Sequence, residues 1–281
     1  LEKIFKHCPV TIVTHCEDNE TMKNNLERVQ SKNKEIDASF HPIIKDDLCC
    51  YRSSSKVVAL AKKHSSDLHV LHLTTEKEIE LFTNDPVKNK KITCEACVHH
   101  LWFDERDYAE LGNLIVCNPA IKKESDRNAL RKALKDGYID LVATDHAPHV
   151  FEDKKLPYLK APAGIPLIEH SFQIMIELHK QGYYSLNEVI SYMSHKVADR
   201  FSIKDRGYIR EGYKADFIIF DVDKETLVSN ETELTKCGWS PFDGKTFSSS
   251  VYGTIINGKP IVINGKLVSD TSSSEKLRFD R

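Results

Sequence analysis

The chain of 281 residues reads as an α/β protein: parallel strands with crossover helices, followed by a small antiparallel β-unit. Three observations predict this. Over the first 145 residues, short β-branched runs alternate with longer helical stretches. Those runs show little polar alternation, as expected of strands buried on both faces. Two Asn-Gly pairs, Asn257-Gly258 and Asn264-Gly265, lie between apolar runs near the C-terminus, the strongest short-range hairpin signal because both turn residues need φ > 0.

In chain order, Pro9-Val10-Thr11-Ile12-Val13-Thr14 is apolar and β-branched and predicts the first strand. A polar helical stretch from Glu20 to Ser31 follows. The runs Leu68 to Leu73, Ile92 to Val98 and Ile139 to Ala143 predict three more strands. Between the last two, Glu124 to Lys135 carries an apolar stripe of Ala129, Leu130, Ala133 and Leu134, with Gly137 placed as a C-terminal cap. Strands separated by helices imply parallel pairing, because a parallel return needs a crossover. Half of a β/α barrel and an open doubly wound sheet both satisfy this pattern. Composition shifts after about residue 204. Lys214 to Asp221 then predicts a strand, Val251 to Val268 the hairpins, and Ser269 to Ser274 a solvated tail.

Charge excludes several classes. Forty Lys+Arg against 42 Asp+Glu leave −2, not the basic field of a nucleic-acid binder. No apolar run approaches the ~18 residues of a spanning helix, and no charged-then-apolar leader opens the chain. Eight cysteines, two of them the adjacent Cys49 and Cys50, are too sparse for a disulfide scaffold and fit reduced thiols in a cytoplasm. No Gly-x-Gly-x-x-Gly loop is present to cradle a dinucleotide. The first residue is Leu1 rather than Met, and an internal piece of a longer protein is expected.

Polar residues collect where strands end. The first strand runs into Thr14-His15-Cys16-Glu17-Asp18, the second into His72-Leu73-Thr74-Thr75, the last into Thr144-Asp145-His146-Ala147-Pro148-His149. In a barrel these ends share one mouth, so His15, His72 and Asp145 are expected to meet despite separations of 57 and 73 residues. Two imidazoles and a carboxylate suit Zn²⁺. Singly, each has a bland reading as a strand-end histidine or a helix N-cap aspartate; three such residues at strand ends weigh against coincidence. His69 and His72 differ by three and face opposite sides of a regular strand, and His72 is preferred as nearer the C-terminal end. Cys94 and Cys97 are read as buried thiols, since a strand splays them and no second pair completes four ligands. His99-His100 is read as a satisfied structural pair, with a supporting role at the site left open.

The series Thr-His-Cys-Glu-Asp, His-Val-Leu-His-Leu-Thr-Thr, Thr-Cys-Glu-Ala-Cys-Val-His-His-Leu, Asn118-Pro119 and Ala-Thr-Asp-His-Ala-Pro-His resembles the second half of the dihydroorotases, within the cyclic amidohydrolases. Cys237-Gly-Trp-Ser-Pro-Phe242 and the final hairpins resemble that family's C-terminal region. The resemblance implies the second half of a metal-dependent TIM-like barrel, strands five to eight over 1–204, with a small β-sandwich portion and tail over 205–281. It implies His15 and His72 as metal ligands, and Asp145 as ligand and general acid/base. Asn118 and the backbone at Ala163-Gly164 would contact the substrate ring, and His149 its carboxylate. It further implies two Zn²⁺ per complete site, a small anionic substrate, and a homo-oligomer, dimer or tetramer. The activity implied is interconversion of N-carbamoyl-L-aspartate and dihydroorotate in pyrimidine synthesis. Hydantoinase, dihydropyrimidinase and allantoinase chemistry, or a silent assembly subunit, are the alternatives.

Three positions depart from the family pattern. Lys122 replaces an arginine after Asn118-Pro119, Val98 a proline before His99-His100, and Ala163 an aromatic beside Gly164. The family's upstream His-x-His, its bridging carboxylate or carboxylated lysine, and its substrate-gripping arginine and asparagine have no counterpart before His15. Four barrel strands are readable where a whole barrel takes ~250 residues, so a partial metal site is expected of this segment.

Overall fold

The computed structural model describes residues 1–269 and 274–280; most of the serine-rich tail lies outside them. Four parallel strands, β1 (Ile12–Thr14), β2 (Leu68–Val70), β3 (Ile92–Cys97) and β4 (Leu141–Ala143), form one sheet in the order β1-β2-β3-β4. Ile12 aligns with Leu68 and Leu68 with Ile92, while Glu95 aligns with Leu141. Strands that add in chain order in one direction lack the order reversal of a doubly wound sheet. The arrangement is that of a barrel wall.

Local chemistry sets the connections. Helix Asn19–Lys32 begins where the Asp18 side chain accepts from Thr21 N at 2.9 Å, and helix Asp47–His64 where Asp46 accepts from Cys49 N at 2.9 Å. Between β2 and β3 the described chain makes short 3-10 turns, Lys77–Leu81 and Val87–Asn89. Helix Glu124–Asp136 ends on Gly137 at φ 85°, the left-handed cap that glycine enters without steric cost. Leu130, Ala133 and Leu134 of its stripe are buried.

The run Leu68 to Leu73 is strand only to Val70. Leu71 N still bonds Thr14 O at 3.1 Å, and Leu73 N bonds Glu95 O at 2.7 Å. Between them His72 takes φ 36°, a left-handed conformation uncommon outside glycine. Strand parity, the basis for separating His69 from His72, therefore stops before His72.

The C-terminal strands are β5 (Phe217–Asp221), β6 (Thr226–Leu227), β7 (Thr246–Phe247), β8 (Ser250–Ile256), β9 (Lys259–Ile263) and β10 (Lys266–Leu267). An antiparallel sheet runs β10-β9-β8-β5, with β6 and β7 paired separately. Both Asn-Gly turns have φ > 0 at each residue, 49° and 79° at Asn257-Gly258 and 52° and 70° at Asn264-Gly265, as a two-residue hairpin turn requires.

The chain divides into two compact units, Leu1–Glu169 with Ser229–Asp243, and His170–Val228 with Gly244–Arg281. The first is built on the parallel sheet, with Leu68, Val70, Cys94, Ala96, Ile115 and Ile139 buried. Segment Ser229–Asp243 belongs to it: Trp239 is fully buried there, and Phe242 stacks on Phe103 with centroids 5.3 Å apart. The second joins helix Ser171–Lys180 to the antiparallel sheet, with Phe172 edge-on to Phe220 at 4.7 Å. No described helix is long and apolar enough to cross a membrane.

Candidate active site

The end of β1 and the end of β2 deliver two imidazoles to one point. His15 Nδ1 lies 3.1 Å from His72 Nε2, the rings meeting edge to face. On its far side, His15 Nε2 is 3.0 Å from Glu17 Oε2, which also accepts from Lys45 Nζ at 2.8 Å. Burial raises the Glu17 carboxyl, but the His15 hydrogen bond and the Lys45 ammonium outweigh it and hold the group near about 2. A permanent carboxylate there keeps the His15 proton on Nε2 and leaves the Nδ1 lone pair facing His72. Burial, reinforced by the neighbouring His15 ring, pulls His72 down to about 4, so its imidazole is neutral at physiological pH.

This donor set fits a zinc-type cation. Nitrogens bound at about 2.05 Å to a tetrahedral ion lie about 3.3 Å apart, close to the observed His15–His72 spacing. An imidazole whose second nitrogen is tied to a carboxylate is the usual supported metal ligand. Without a cation, the Nε2–H tautomer of His72 donates to the same His15 lone pair and leaves its own buried Nδ1 without a partner.

Asp145 follows β4 at φ 46°, exposed on the rim. Partial burial of its carboxyl and the nearby Glu95 carboxylate push it up to about 6, with His15 opposing. The structure thus places His15, His72 and Asp145 after β1, β2 and β4 of one sheet, with His15 within electrostatic range of both other groups. Only His15 and His72 touch, and the three donors do not form a group lying within 4.8 Å of one another. His69 is held inside the sheet, with Nδ1 2.8 Å from Thr93 Oγ1 and Nε2 3.1 Å from Glu95 Oε2.

The Cys97, His99 and His100 donors do lie within 4.8 Å of one another. His100 Nε2 bonds Pro119 O at 3.0 Å, but both His99 ring nitrogens are buried without a partner. The pair is buried as expected of structural histidines, yet His99 is not satisfied. Burial drives Cys94 and Cys97 well above the ordinary thiol range, in keeping with inert buried thiols.

Two further segments flank the rim. Asn118, before a cis bond to Pro119, has its Oδ1 buried and unpartnered. Lys122 is buried and donates to Thr74 Oγ1 at 3.0 Å and Ala120 O at 3.1 Å, tying this segment to the end of β2. After Asp145, Ala147 N bonds Ile165 O at 3.1 Å, and His149 Nε2 meets Ala163 O at 3.0 Å. Gly164, at φ 148°, packs so closely that a Cβ would stand 2.5 Å from Ala147 O and 2.8 Å from the His149 ring. His149, Ala163 and Gly164 therefore form one contact group, with Asn118 joined to it through Gly164 N to Val116 O at 2.8 Å.

The sequence alone assigns no role to four contributors. Lys45 is distant in the chain from Glu17. His41 holds the Asn118 segment through Cys117 O at 2.8 Å and meets Tyr158 Oη at 2.8 Å. Lys154 and Trp239 hold the His149 loop. None sits at a strand end, where the sequence signal lies.

Comparison with known proteins bears on this geometry. The model of the amidohydrolase family matches residues 5–261. The chain is 31% identical over 258 residues to a dihydroorotase of Bacillus subtilis, covering 92% of this chain and 59% of that protein. It is 26% identical over 260 residues to a dihydroorotase of Methanothermobacter thermautotrophicus, covering 92% and 58%. The chain thus spans less than two thirds of these relatives. Among solved structures, an L-hydantoinase (dihydropyrimidinase) from Arthrobacter aurescens matches with TM-score 0.86 at 22% identity, over 96% of this chain and 61% of that one. A dihydropyrimidinase from Brevibacillus agri matches with TM-score 0.84 at 23% identity, over 94% and 59%. These two likenesses speak to the fold.

Proposed function

Since the chain belongs to the amidohydrolase family, we propose that it carries the second half of the barrel and of the active site of a dihydroorotase, interconverting N-carbamoyl-L-aspartate and dihydroorotate. In this reading residues 1–204 supply strands five to eight and 205–281 the small β portion. The observation that carries it is the His15–His72 contact at 3.1 Å, with the Asp145 carboxyl within electrostatic range of His15. The dihydroorotase names of the relatives favour an acid-bearing ring over a neutral one.

His15, His72 and Asp145 would hold the Zn²⁺, which would supply Lewis acidity and let water ionise near neutral pH. Glu17 orients His15 and Lys45 neutralises Glu17. Asp145 takes a proton at its carboxylate and returns it to the ring nitrogen as the C–N bond breaks, a role worth ~10²–10⁴-fold. Free of metal its carboxyl stands at about 6, and a neighbouring dication would favour the carboxylate that accepts the proton. Asn118 Oδ1 accepts from a ring N–H, Ala163 and Gly164 line the ring, and His149 faces the substrate carboxylate. A cytoplasmic homo-oligomer is the expected form.

The test is turnover by the natural gene product on dihydroorotate, dihydrouracil and hydantoin. Preference for the acid-bearing ring is expected; faster opening of either neutral ring overturns the dihydroorotase reading in favour of a dihydropyrimidinase.

A further inference from the structure

Lys154, at the end of the short helix Phe151–Lys154, is 2% exposed. Its Nζ donates to Pro162 O at 2.9 Å, Gly164 O at 3.0 Å and Val116 O at 3.3 Å. An ammonium has three donors, and all three are spent on backbone carbonyls from two separate segments. One segment leads into Asn118; the other is the loop of Ala163 and Gly164.

Burying a cation is costly, and an apolar side chain would fill the same space without that cost. The charge is therefore matched to the carbonyls it meets rather than to packing. The surroundings extend the brace. Trp239 lies beneath the ammonium, 5.8 Å from Nζ to ring centroid, and its Nε1 donates to His149 O at 2.7 Å. Asn113 Nδ2 bonds Lys154 O at 3.1 Å and Leu156 O at 2.8 Å, anchoring the helix end.

We infer that Lys154 is a positioning residue, a cationic clasp that holds the Val116–Asn118 segment and the Pro162–Gly164 loop in register, so that their polar atoms meet the cyclic substrate together. This rests on the ring-binding reading above. Burial pulls the Lys154 ammonium down to about 8. Facing it is the Cys117 thiol, which burial pushes up to about 12 and keeps neutral; Glu152 and Asp153 on its own helix and Lys155 just after it are exposed. The clasp accordingly loosens within an accessible pH range.

The test compares the zinc-loaded natural gene product with K154M and K154R, following KM, kcat and hydrogen exchange at the Gly164 amide. K154M is expected to raise KM at least tenfold, keep kcat within about threefold, and speed exchange at Gly164, with K154R recovering part of each. Unchanged exchange, or faster exchange with unchanged KM, overturns the inference. A pH series on the wild type covers the case in which K154M does not fold: KM should climb through pH 8 and stay level in K154R, and a level wild-type profile overturns it. If the wild type opens only neutral rings, the dihydroorotase reading fails, yet KM for that ring still decides the role of Lys154. If it opens none, Gly164 exchange decides it.

Discussion

His15 Nδ1 and His72 Nε2 stand 3.1 Å apart across 57 positions of chain, with the outer nitrogen of His15 secured by Glu17. A pair so arranged binds a cation far better than either imidazole alone. Zn²⁺ at about a hundredfold over its Kd should therefore stabilise the folded chain by about 2.7 kcal/mol, read as a rise in Tm on titration. His72→Ala should abolish that rise. Persistence of the zinc shift in His72→Ala would place the metal elsewhere.

Asp145 offers a cleaner separation of chemistry from folding. Its φ of 46° is one that asparagine tolerates well, so Asp145→Asn preserves backbone and shape while removing the proton acceptor. Turnover should fall ~10²–10⁴-fold, with Tm and the far-UV circular dichroism spectrum little changed. Retained turnover would remove Asp145 from the proton-transfer role and restore the silent-subunit alternative.

Why His15 and Asp145 are legible in the sequence while their supports are not has a physical basis. Strand runs and their polar termini are local patterns, so Thr14-His15, Thr144-Asp145 and the Asn-Gly turns announce themselves within a few residues. The helix stripe at Leu130, Ala133 and Leu134 does so too. The turn at His72 was hidden, because alternation forecasts continued strand and φ 36° interrupts it without any glycine. Lys45 meeting Glu17 and His41 meeting Cys117 O are products of tertiary packing between distant segments, with no periodicity to betray them. Asp18 carries the opposite lesson. It lies in the same polar cluster as His15, yet its carboxylate is spent capping helix Asn19–Lys32.

Gly164 should be intolerant of even one added carbon. Its φ of 148° and a Cβ only 2.5 Å from Ala147 O and 2.8 Å from the His149 ring leave Gly164→Ala to strain the backbone or displace the loop, at a cost of about 1–3 kcal/mol. Both routes move the Ala163 carbonyl away from His149. The expected result is a lower Tm together with a raised KM, measured by thermal unfolding and steady-state kinetics. A variant equal to wild type in both would show that the loop yields freely there.

Acid sensitivity should trace in part to His41. Burial drives its imidazole down to about 4 from an ordinary 6.5, against the Cys117 carbonyl that favours the charged form. Below pH 6.5 the unfolded chain takes up the proton and the folded chain does not, so stability falls as pH drops from 6.5 towards 4. At pH 5 the loss attributable to this one group is about 2 kcal/mol. His41→Gln cannot titrate, and its stability should decline less than that of the wild type between pH 7 and pH 5 in urea unfolding. It should also start lower at pH 7, because the bonds to Cys117 O and Tyr158 Oη are weakened. The buried imidazoles of His72, His99 and His100 are lowered by burial as well, so a residual acid slope in His41→Gln is expected. Parallel declines in the two proteins would mean that His41 takes up its proton as readily folded as unfolded, and that its partners hold it charged.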